Sequence, residues 1–217
     1  MMARSMRYGA LALLVHLGIW LAPAGAAAPP RAKLVWAFGD SLAAGYGLPP
    51  AQGFSAQLQA ALRAQGVAAA VRNGGVAGDT AAQGRARLLW GLRGLGRAPD
   101  LVIVELGAND MLRGLPPAQA RANLDRILGE LRRRKIPVLL AGMRAAPNLG
   151  PAYAREFEAM YPALARRHGV PLYPFFLEGV AGKRTMIQRD GLHPNARGVR
   201  IIVRNILPAV RRALGRR

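Results

Sequence analysis

Cysteine is absent from this chain of 217 residues, and acidic residues and histidines are scarce. Only 11 aspartates and glutamates accompany 31 lysines and arginines, and there are three histidines. Without cysteine the chain can form no disulfide framework and carry no lipoprotein anchor. No internal repeat, low-complexity segment or Pro/Gly/Ser linker divides it, which favours a single domain. After the first 26 residues about 190 remain, enough to bury a core without disulfides or metals.

The formal net charge of +20 raises the question of a nucleic-acid partner. Most of the basic residues are arginines spread along predicted helices, as in residues 132–135 and 211–217. No helix-turn-helix, RNP-like or zinc-binding pattern accompanies them. We therefore expect no nucleic-acid partner and interpret the charge as a solvated face. A weak contact with anionic lipid head groups stays open.

The first residues have the pattern of an export signal. They supply, in order, a positive start, an apolar stretch and a small-residue cleavage site: Arg4 and Arg7, residues 9–21, and Ala24-Gly25-Ala26. The apolar stretch is too short to span a membrane comfortably. The sequence therefore predicts a signal peptide at residues 1–26 and a periplasmic or secreted domain at 27–217. Cleavage after Ala28 and an uncleaved anchor are the alternatives.

Apolar runs and helical stretches alternate along the rest of the chain. Strands are predicted at 33–38, 67–72, 101–106, 137–142 and 170–173. Helices are predicted near 54–65, 80–92, 117–134, 151–168 and 195–213. This alternation, with nearly continuous apolar strands, is typical of a parallel sheet covered by helices on both faces. Ligands and catalytic groups lie at the carboxyl ends of the strands in such sheets.

A serine follows the first predicted strand, in Gly39-Asp40-Ser41-Leu42. The Gly-rich stretch after it, residues 43–47, is predicted to be a loop. Ser41 is therefore a candidate nucleophile. A serine after Gly-Asp is also an ordinary turn or helix-cap residue, so this segment alone does not decide between the two. A serine hydroxyl needs a base within hydrogen-bond reach to act as a nucleophile.

One of the three histidines lies in a segment suited to that base. His16 falls in the apolar N-terminal stretch, and His168 ends a predicted helix, where a histidine commonly faces the helix dipole. In the turn Asp190-Gly191-Leu192-His193-Pro194, a carboxylate precedes the imidazole by three residues. This turn can aim the carboxylate at one ring nitrogen and leave the other for Ser41, as in a Ser-His-Asp triad. Capping of the last helix by Asp190 and His193 is the alternative.

Two more strand ends carry candidate donors for a tetrahedral oxyanion. Residues 73–80 follow the second predicted strand, and Gly78 can present its N–H because no side chain blocks close approach. Gly107-Ala108-Asn109-Asp110 follows the third strand, and Asn109 can present its side-chain amide. Each segment is also an ordinary turn composition. Together, the four strand-end segments hold a nucleophile, two donors and an acid–base pair in an order that one sheet edge can gather.

These four segments together resemble the SGNH hydrolases, also called the GDSL family. Ser41, Gly78, Asn109 and His193 match the four residues that name the family, and Asp190 stands in its acidic position. Further stretches are similar to the bacterial arylesterase, lysophospholipase and thioesterase I branch: Gly78-Asp79-Thr80, residues 104–110, Leu112-Arg113-Gly114 and residues 171–176. The resemblance implies a three-layer α/β/α sandwich with a flavodoxin-like parallel sheet of five strands.

The same resemblance implies a serine esterase for aryl and short- to medium-chain acyl esters, with acyl thioesters and lysophospholipids as further substrates. Ser41 is expected to attack the acyl carbonyl, His193 to move the proton, and Asp190 to orient the imidazole. The N–H groups of Ser41 and Gly78, with the amide of Asn109, are expected to hold the oxyanion. The bracing of these loops is expected from Asp40, Asp79 and Asp110.

A substrate-contacting loop is implied at residues 143–150. Ala145, Ala146 and Pro147 are therefore expected to bind substrate, but the residues of this loop do not identify an acyl-chain length. No metal or organic cofactor is expected, since the carboxylates are spread over separate loops. A monomer acting on a small-molecule ester or thioester is expected.

Two alternatives from other classes stay open. A carbohydrate-ester deacetylase would use the same residues with a polar cleft in place of an apolar trough at loops 43–53 and 143–152. The apolar content of these loops favours the trough: Ala43, Ala44, Tyr46, Leu48, Ala145, Ala146 and Leu149. A non-catalytic binding module would not need all the candidate catalytic residues, so their joint presence argues against it.

Overall fold

The five strands of this protein form a single parallel sheet. The computed structural model describes residues 31–215, so the predicted leader at 1–26, with His16, lies outside the described residues. Within them, the strands are Lys33–Gly39 (β1), Ala69–Gly75 (β2), Leu101–Glu105 (β3), Val138–Ala141 (β4) and Leu172–Tyr173 (β5). They hydrogen-bond in the order β2-β1-β3-β4-β5. The predicted flavodoxin-like order is therefore confirmed.

Helices cover both faces of this sheet. The seven α-helices of the described residues are Ser41–Ala44 (α1), Phe54–Ala64 (α2), Ala81–Gly94 (α3), Ala108–Leu112 (α4), Pro117–Arg133 (α5), Gly150–His168 (α6) and Ala196–Gly215 (α7). Helix α2 packs against α7, and α5 packs against both α3 and α6. These two groups form the outer layers of the predicted three-layer sandwich. The central strands are consequently buried; Val35, Phe38 and Ile103 have no exposed surface.

None of the helices within residues 31–215 is both long enough and apolar enough to cross a membrane.

The loop after β2 ends at a fixed point because Thr80 caps α3. The Thr80 hydroxyl accepts the N–H of Gln83, and the Gln83 side chain accepts the N–H of Thr80. This reciprocal capping box satisfies two donors of the first helical turn. The loop that carries Gly78 is thereby held between a strand end and a capped helix.

Helix α7 is capped by Asn195. Its Oδ1 accepts the N–H groups of Arg197 and Gly198, each at 3.0 Å. An asparagine in this position satisfies donors of the first turn that have no partner within the helix. The alternative that Asp190 and His193 cap α7 is therefore wrong, and both side chains are left for other contacts.

Two segments predicted to be loops begin with short helices. Ala43 and Ala44, within the stretch 43–47, belong to α1, because the Asp40 carboxylate accepts the Leu42 N–H at 3.0 Å and caps that turn. The segment after β3 likewise continues directly into α4. A single helical turn is too short to show a hydrophobic period in the sequence.

Strand β2 lies further along the chain than the predicted 67–72. Its pairing with β1 continues to Gly75 opposite Gly39. A Cβ atom on Gly75 would lie 2.2 Å from the backbone nitrogen of Ala44, so only glycine lets β2 run on beside α1. Residues 73–75, predicted to be part of a loop, therefore belong to the strand.

Candidate active site

Ser41, His193 and Asp190 form a chain of hydrogen bonds at the carboxyl end of β1. The Ser41 Oγ lies 3.0 Å from Nε2 of His193, and Nδ1 of His193 lies 2.7 Å from Oδ2 of Asp190. The structure thus brings together a serine and a histidine 152 residues apart in the sequence. In this geometry the imidazole can accept the hydroxyl proton while the carboxylate holds the other ring nitrogen.

The turn from Asp190 to His193 is closed by the same carboxylate that orients the imidazole. Oδ1 of Asp190 accepts the N–H groups of Leu192 at 2.9 Å and His193 at 3.0 Å. These contacts, with the Leu192 N–H the largest cause and the His193 side chain next, lower the pKa of Asp190 to about 2. Asp190 is therefore ionised at neutral pH. The centroid of the Tyr46 ring lies 4.6 Å from that of the imidazole, with the two rings tilted by 39°.

Two backbone N–H groups at the cavity have no hydrogen-bond acceptor in the described chain. Ser41 begins α1, and Gly78 lies in the loop after β2 with φ +85°. Neither N–H has an acceptor among residues 31–215, and both residues line one cavity. Glycine is required at position 78 by its positive φ and not by crowding, since the nearest atom to an added Cβ would be Arg113 Nη2 at 3.7 Å.

Asn109 connects the turns that follow β1, β2 and β3. Its Nδ2 donates to Oδ2 of Asp40 and to the backbone carbonyl of Asp79, each at 3.1 Å. Both amide N–H groups therefore have acceptors, and the orientation of the side chain is fixed. Asn109 lines the cavity with Ser41 and Gly78, so an oxyanion bound there would share an amide hydrogen with one of these acceptors.

A pair of buried carboxyl groups, Asp40 and Glu105, lies beneath the Ser41 turn. Their exposed fractions are 0% and 1%, and the Asp40 N–H donates to Oε2 of Glu105 at 3.4 Å. Burial raises the pKa of Asp40 to about 6, against the opposing contacts of Leu42 and Asn109. Burial and then the Asp40 charge raise the pKa of Glu105 well above its ordinary value. Glu105 therefore keeps its proton at pH values where an exposed glutamate is ionised.

Arg87 on α3 is a further residue of this site, which no motif in the sequence marks. Its guanidinium donates to the carbonyl oxygens of Gly39 and Gly74, both at 2.8 Å, and pairs with Oδ2 of Asp79 at 2.5 Å. It also lies 4.3 Å from the ring centroid of Phe38. One side chain thus joins the ends of β1 and β2 to the loop that follows β2.

The position of Arg87 on its helix was the available signal. Arg87 lies next to Leu88 and three residues after Gly84, both on the buried face of α3. A charged residue on a buried face has a partner in nearly all folded proteins. The identity of that partner depends on tertiary packing, which the sequence does not display.

The other aspartates expected to brace the loops make structural contacts. Asp110 accepts the N–H of Ala81 at 2.8 Å and ties α4 to the start of α3; burial raises its pKa. Within residues 31–215, no group of three or more His, Asp or Glu side chains is placed to hold a metal ion.

A cavity of about 1120 Å³ opens over Ser41 and His193. Its lining is mostly apolar and includes Leu42, Tyr46, Ala77, Met111, Leu112, Met143, Ala145, Ala146, Pro147, Phe175, Leu177, Ile187 and Leu192. The structure therefore places the predicted residues Ala145, Ala146 and Pro147 in this wall. Four residues expected in the trough do not line it: Ala43, Ala44, Leu48 and Leu149. Ala43 instead lies on the buried side of α1.

His168 lies at the end of α6, as the sequence predicts, but its partner is a carboxylate. Its Nε2 lies 2.8 Å from Oδ1 of Asp125 on α5. Neither residue lines the cavity over Ser41. The structure thus separates His168 from the site and brings His193 into it.

The buried pair Asp40 and Glu105 predicts a pH-dependent stability. The folded protein holds protons on these groups where the unfolded chain has lost them, so the free energy of unfolding falls as pH rises from 3.8, the ordinary pKa of Asp, through about 6. In Glu105→Gln we expect the loss of stability between pH 5 and 8 to be smaller than in the wild type, because the proton that burial holds on Glu105 is no longer released. Urea unfolding at both pH values measures it.

The exposed Glu178 supplies the matched control, because its carboxylate is not buried. Glu178→Gln should keep the wild-type dependence of stability on pH. An equal dependence in wild type and Glu105→Gln would show that Glu105 does not carry the extra proton.

Comparison with known proteins supports one family. The model of the GDSL-like lipase/acylhydrolase family matches residues 37–201. Esterase TesA of Pseudomonas aeruginosa is 40% identical over 180 residues, which cover 83% of this chain and 89% of that protein. The arylesterase of Vibrio mimicus is 40% identical over 168 residues, 77% of this chain and 83% of its own. Thioesterase 1/protease 1/lysophospholipase L1 of Escherichia coli is 40% identical over 157 residues, which cover 72% of this chain and 73% of that protein.

Solved structures agree with these relatives. The crystal structure of AlinE4, an SGNH-hydrolase family esterase, is 52% identical, has a TM-score of 0.73 and covers 84% of this chain and 97% of its own. The crystal structure of TesA is 40% identical, has a TM-score of 0.77 and covers 84% of this chain and 99% of its own. The region matched by the family model runs from β1 into α7 and contains every residue of the site described above. The chain therefore belongs to the GDSL-like lipase/acylhydrolase family, the SGNH hydrolases.

Proposed function

We propose that this hydrolase is a serine esterase that cleaves aryl and short- to medium-chain acyl esters through an acyl-enzyme on Ser41. The observation that carries the proposal is the unbroken contact chain from the Ser41 hydroxyl through His193 to the ionised Asp190. The names of the relatives, esterase, arylesterase and thioesterase, support the same reaction class.

The first half of the reaction acylates the serine. Ser41 Oγ attacks the acyl carbonyl while Nε2 of His193 takes the hydroxyl proton, and Asp190 stabilises the imidazolium that forms. The carbon–oxygen bond to the leaving group then breaks, and His193 returns the proton to the departing alkoxide. In the second half, water attacks the acyl-enzyme with His193 again as base, and Ser41 recovers its proton as the acid product leaves.

The oxyanion of each tetrahedral intermediate would lie among three donors. The N–H groups of Ser41 and Gly78 are without acceptors in the described chain, and donors held ready in this way need no reorganisation during the reaction. Asn109 would add its amide. Its two existing contacts fix the direction of that amide before substrate arrives.

The cavity supports an acyl substrate. Apolar walls favour an alkyl or aryl group over a sugar, because sugar hydroxyls buried without hydrogen-bond partners are costly. We therefore favour the esterase over the carbohydrate-ester deacetylase. The proposed substrate range includes acyl thioesters and lysophospholipids, because their acyl chains can pack against the same apolar wall as the acyl chain of an ester.

Export is part of this proposal. The arginines and apolar stretch at the start of the chain support a signal peptide at residues 1–26 and action outside the cytoplasm, with the enzyme as a monomer.

The nucleophile can be identified by covalent labelling. The chain contains three serines, Ser5, Ser41 and Ser55, and a fluorophosphonate probe should attach to Ser41 alone. Ser41→Ala should abolish both labelling and ester hydrolysis, while Ser55→Ala keeps both. Because the base activates the serine, His193→Ala should slow labelling strongly and His168→Ala should not. Mass spectrometry of the labelled peptide checks this, and a labelled Ser41→Ala variant would refute the assignment.

The role of the Asn109 amide can be tested by comparing the effect of its removal on kcat with the effect on KM. Asn109→Ala should lower kcat by on the order of 100- to 1000-fold, because one oxyanion donor is lost, with a smaller change in KM. Asn123→Ala, which removes an exposed amide from α5, is the control and should behave as wild type. Steady-state kinetics on an aryl ester measures both constants; an unchanged kcat for Asn109→Ala would leave Asn109 with a structural role only.

Arg87 should act as a positioning residue. Because it ties the Ser41 turn to the Gly78 loop, we expect Arg87→Gln to lower kcat by about 10- to 100-fold while KM changes less. Millimolar guanidinium should restore part of the rate by refilling the vacated position. Arg85→Gln removes an exposed arginine two residues earlier on α3 and should leave the kinetics unchanged. If Arg87→Gln fails to fold and guanidinium does not restore its activity, Arg87 contributes to stability alone.

A further inference from the structure

Three arginines surround the opening of the cavity. They line its outer part and define what we call the basic rim: Arg144, Arg184 and Arg189. All three are exposed, and none forms an ion pair within residues 31–215. Arg144 lies 4.9 Å from the ring centroid of Phe175, so its guanidinium is held at the cavity wall. The rim thus presents fixed positive charge that no carboxylate of the described chain neutralises by direct contact.

Large apolar side chains stand beside these arginines. Tyr46, Leu112 and Leu192 line the same cavity and are 53%, 49% and 46% exposed. We call these three the apolar edge. Removing an aliphatic or aromatic side chain of this size from water is favourable. These half-exposed side chains at the mouth of the cavity would therefore be stabilised further by insertion into another apolar environment.

Two carboxylates next to cavity-lining residues have hydrogen-bond partners of their own. Asp190 is held by His193, and Glu158 accepts the N–H of Ala145 at 3.2 Å. The carboxylates that pair with surface cations elsewhere are on other parts of the fold: Asp100 with Lys33 and Arg97, Asp125 with Arg167, and Glu130 with Arg133 and Arg134. None of these residues lines the cavity. The acids that pair with surface cations therefore lie away from the cavity, and the three arginines of the rim have no paired carboxylate among residues 31–215.

We propose that the mouth of the cavity docks on an anionic lipid surface. The basic rim would contact phosphate groups of anionic head groups, and the apolar edge would enter the boundary between head groups and acyl chains. A bilayer of this kind matches both features at once, the unpaired positive charge and the exposed apolar groups. Docking places the opening over Ser41 against the layer that holds acyl chains. The purpose of this docking rests on the proposed function, but binding of the protein to the lipid surface requires no catalysis.

The test measures vesicle binding in the Ser41→Ala background, so that no lipid is hydrolysed. The probes are vesicles of phosphatidylglycerol and phosphatidylcholine in equal parts, compared with phosphatidylcholine alone, in a sedimentation assay. The parent should bind the anionic vesicles more strongly than the neutral ones, and added salt should weaken this binding. The rim variant, Arg144→Gln/Arg184→Gln/Arg189→Gln, should bind the anionic vesicles on the order of 100-fold more weakly.

Helix α7 supplies a matched control with the same loss of charge. Arg200, Arg204 and Arg212 are exposed and unpaired in the described chain and do not line the cavity. Changing these three to Gln should weaken binding by less than about 3-fold, since charges on another face are screened from the bilayer. All variants carry the same residues 1–30, so any binding by that segment is common to them.

An apolar variant separates docking from simple charge attraction. Leu112→Ser/Leu192→Ser keeps every arginine, and docking predicts weaker binding that persists at high salt. Equal losses in the rim and α7 variants, or equal binding to anionic and neutral vesicles, would overturn the proposal. Hydrolysis of a soluble aryl ester by the wild type is measured in parallel. Its absence would count against the proposed esterase and not against docking.

Discussion

Hydrogen bonding of β1 on both of its edges is the constraint on which the site depends. Parallel pairing with β2 brings Gly39 opposite Gly75, and pairing with β3 brings it opposite Glu105. Three strand ends therefore stop at one level, and the turn with Ser41 stands between the other two. Because parallel strands are joined by helices, residues far apart in the sequence meet at this edge. A shift of register would separate the Ser41 turn from Asn109.

The scarce acidic residues of this basic protein are concentrated at that edge. Of 11 in the chain, the four that are buried are Asp40, Asp79, Glu105 and Asp110, and all lie at or next to the turns after β1, β2 and β3. A buried carboxyl group loses hydration, which folding must offset with hydrogen bonds or a counter-charge. Asp79 has the guanidinium of Arg87, whereas Glu105 offsets the loss by keeping its proton. Stability is thus given up locally to fix the orientation of the Ser41 turn and the Asn109 amide.

Local pattern sufficed for the order of elements and for the segments of the site, but not for the links between them. The apolar runs predicted the strands, and the strand-end loops predicted the meeting of Ser41 with His193, because parallel strands bring their carboxyl ends to one edge. The order of the strands in the sheet came from the resemblance to the SGNH hydrolases. The end of β2 was missed since it depends on the fit of Gly75 against the backbone of α1. Arg87 was missed for a similar reason: its three acceptors belong to other elements. Contacts across elements are set by packing, and no spacing along the chain encodes them.

The two histidines of the described chain show why a histidine–carboxylate pair does not define a site. His168 lies 2.8 Å from Asp125, and His193 lies 2.7 Å from Asp190, so the pairs are nearly equal in length. What differs is the second ring nitrogen. In His193 it faces a serine at 3.0 Å beneath an apolar cavity, whereas the Nδ1 of His168 is buried without a partner among residues 31–215. Because that nitrogen has no hydrogen-bond partner in the described chain, no reacting group lies close enough to give His168 a proton. The chemistry therefore comes from the convergence of strand ends on His193, and the same pair of residue types between α5 and α6 serves only to join two helices.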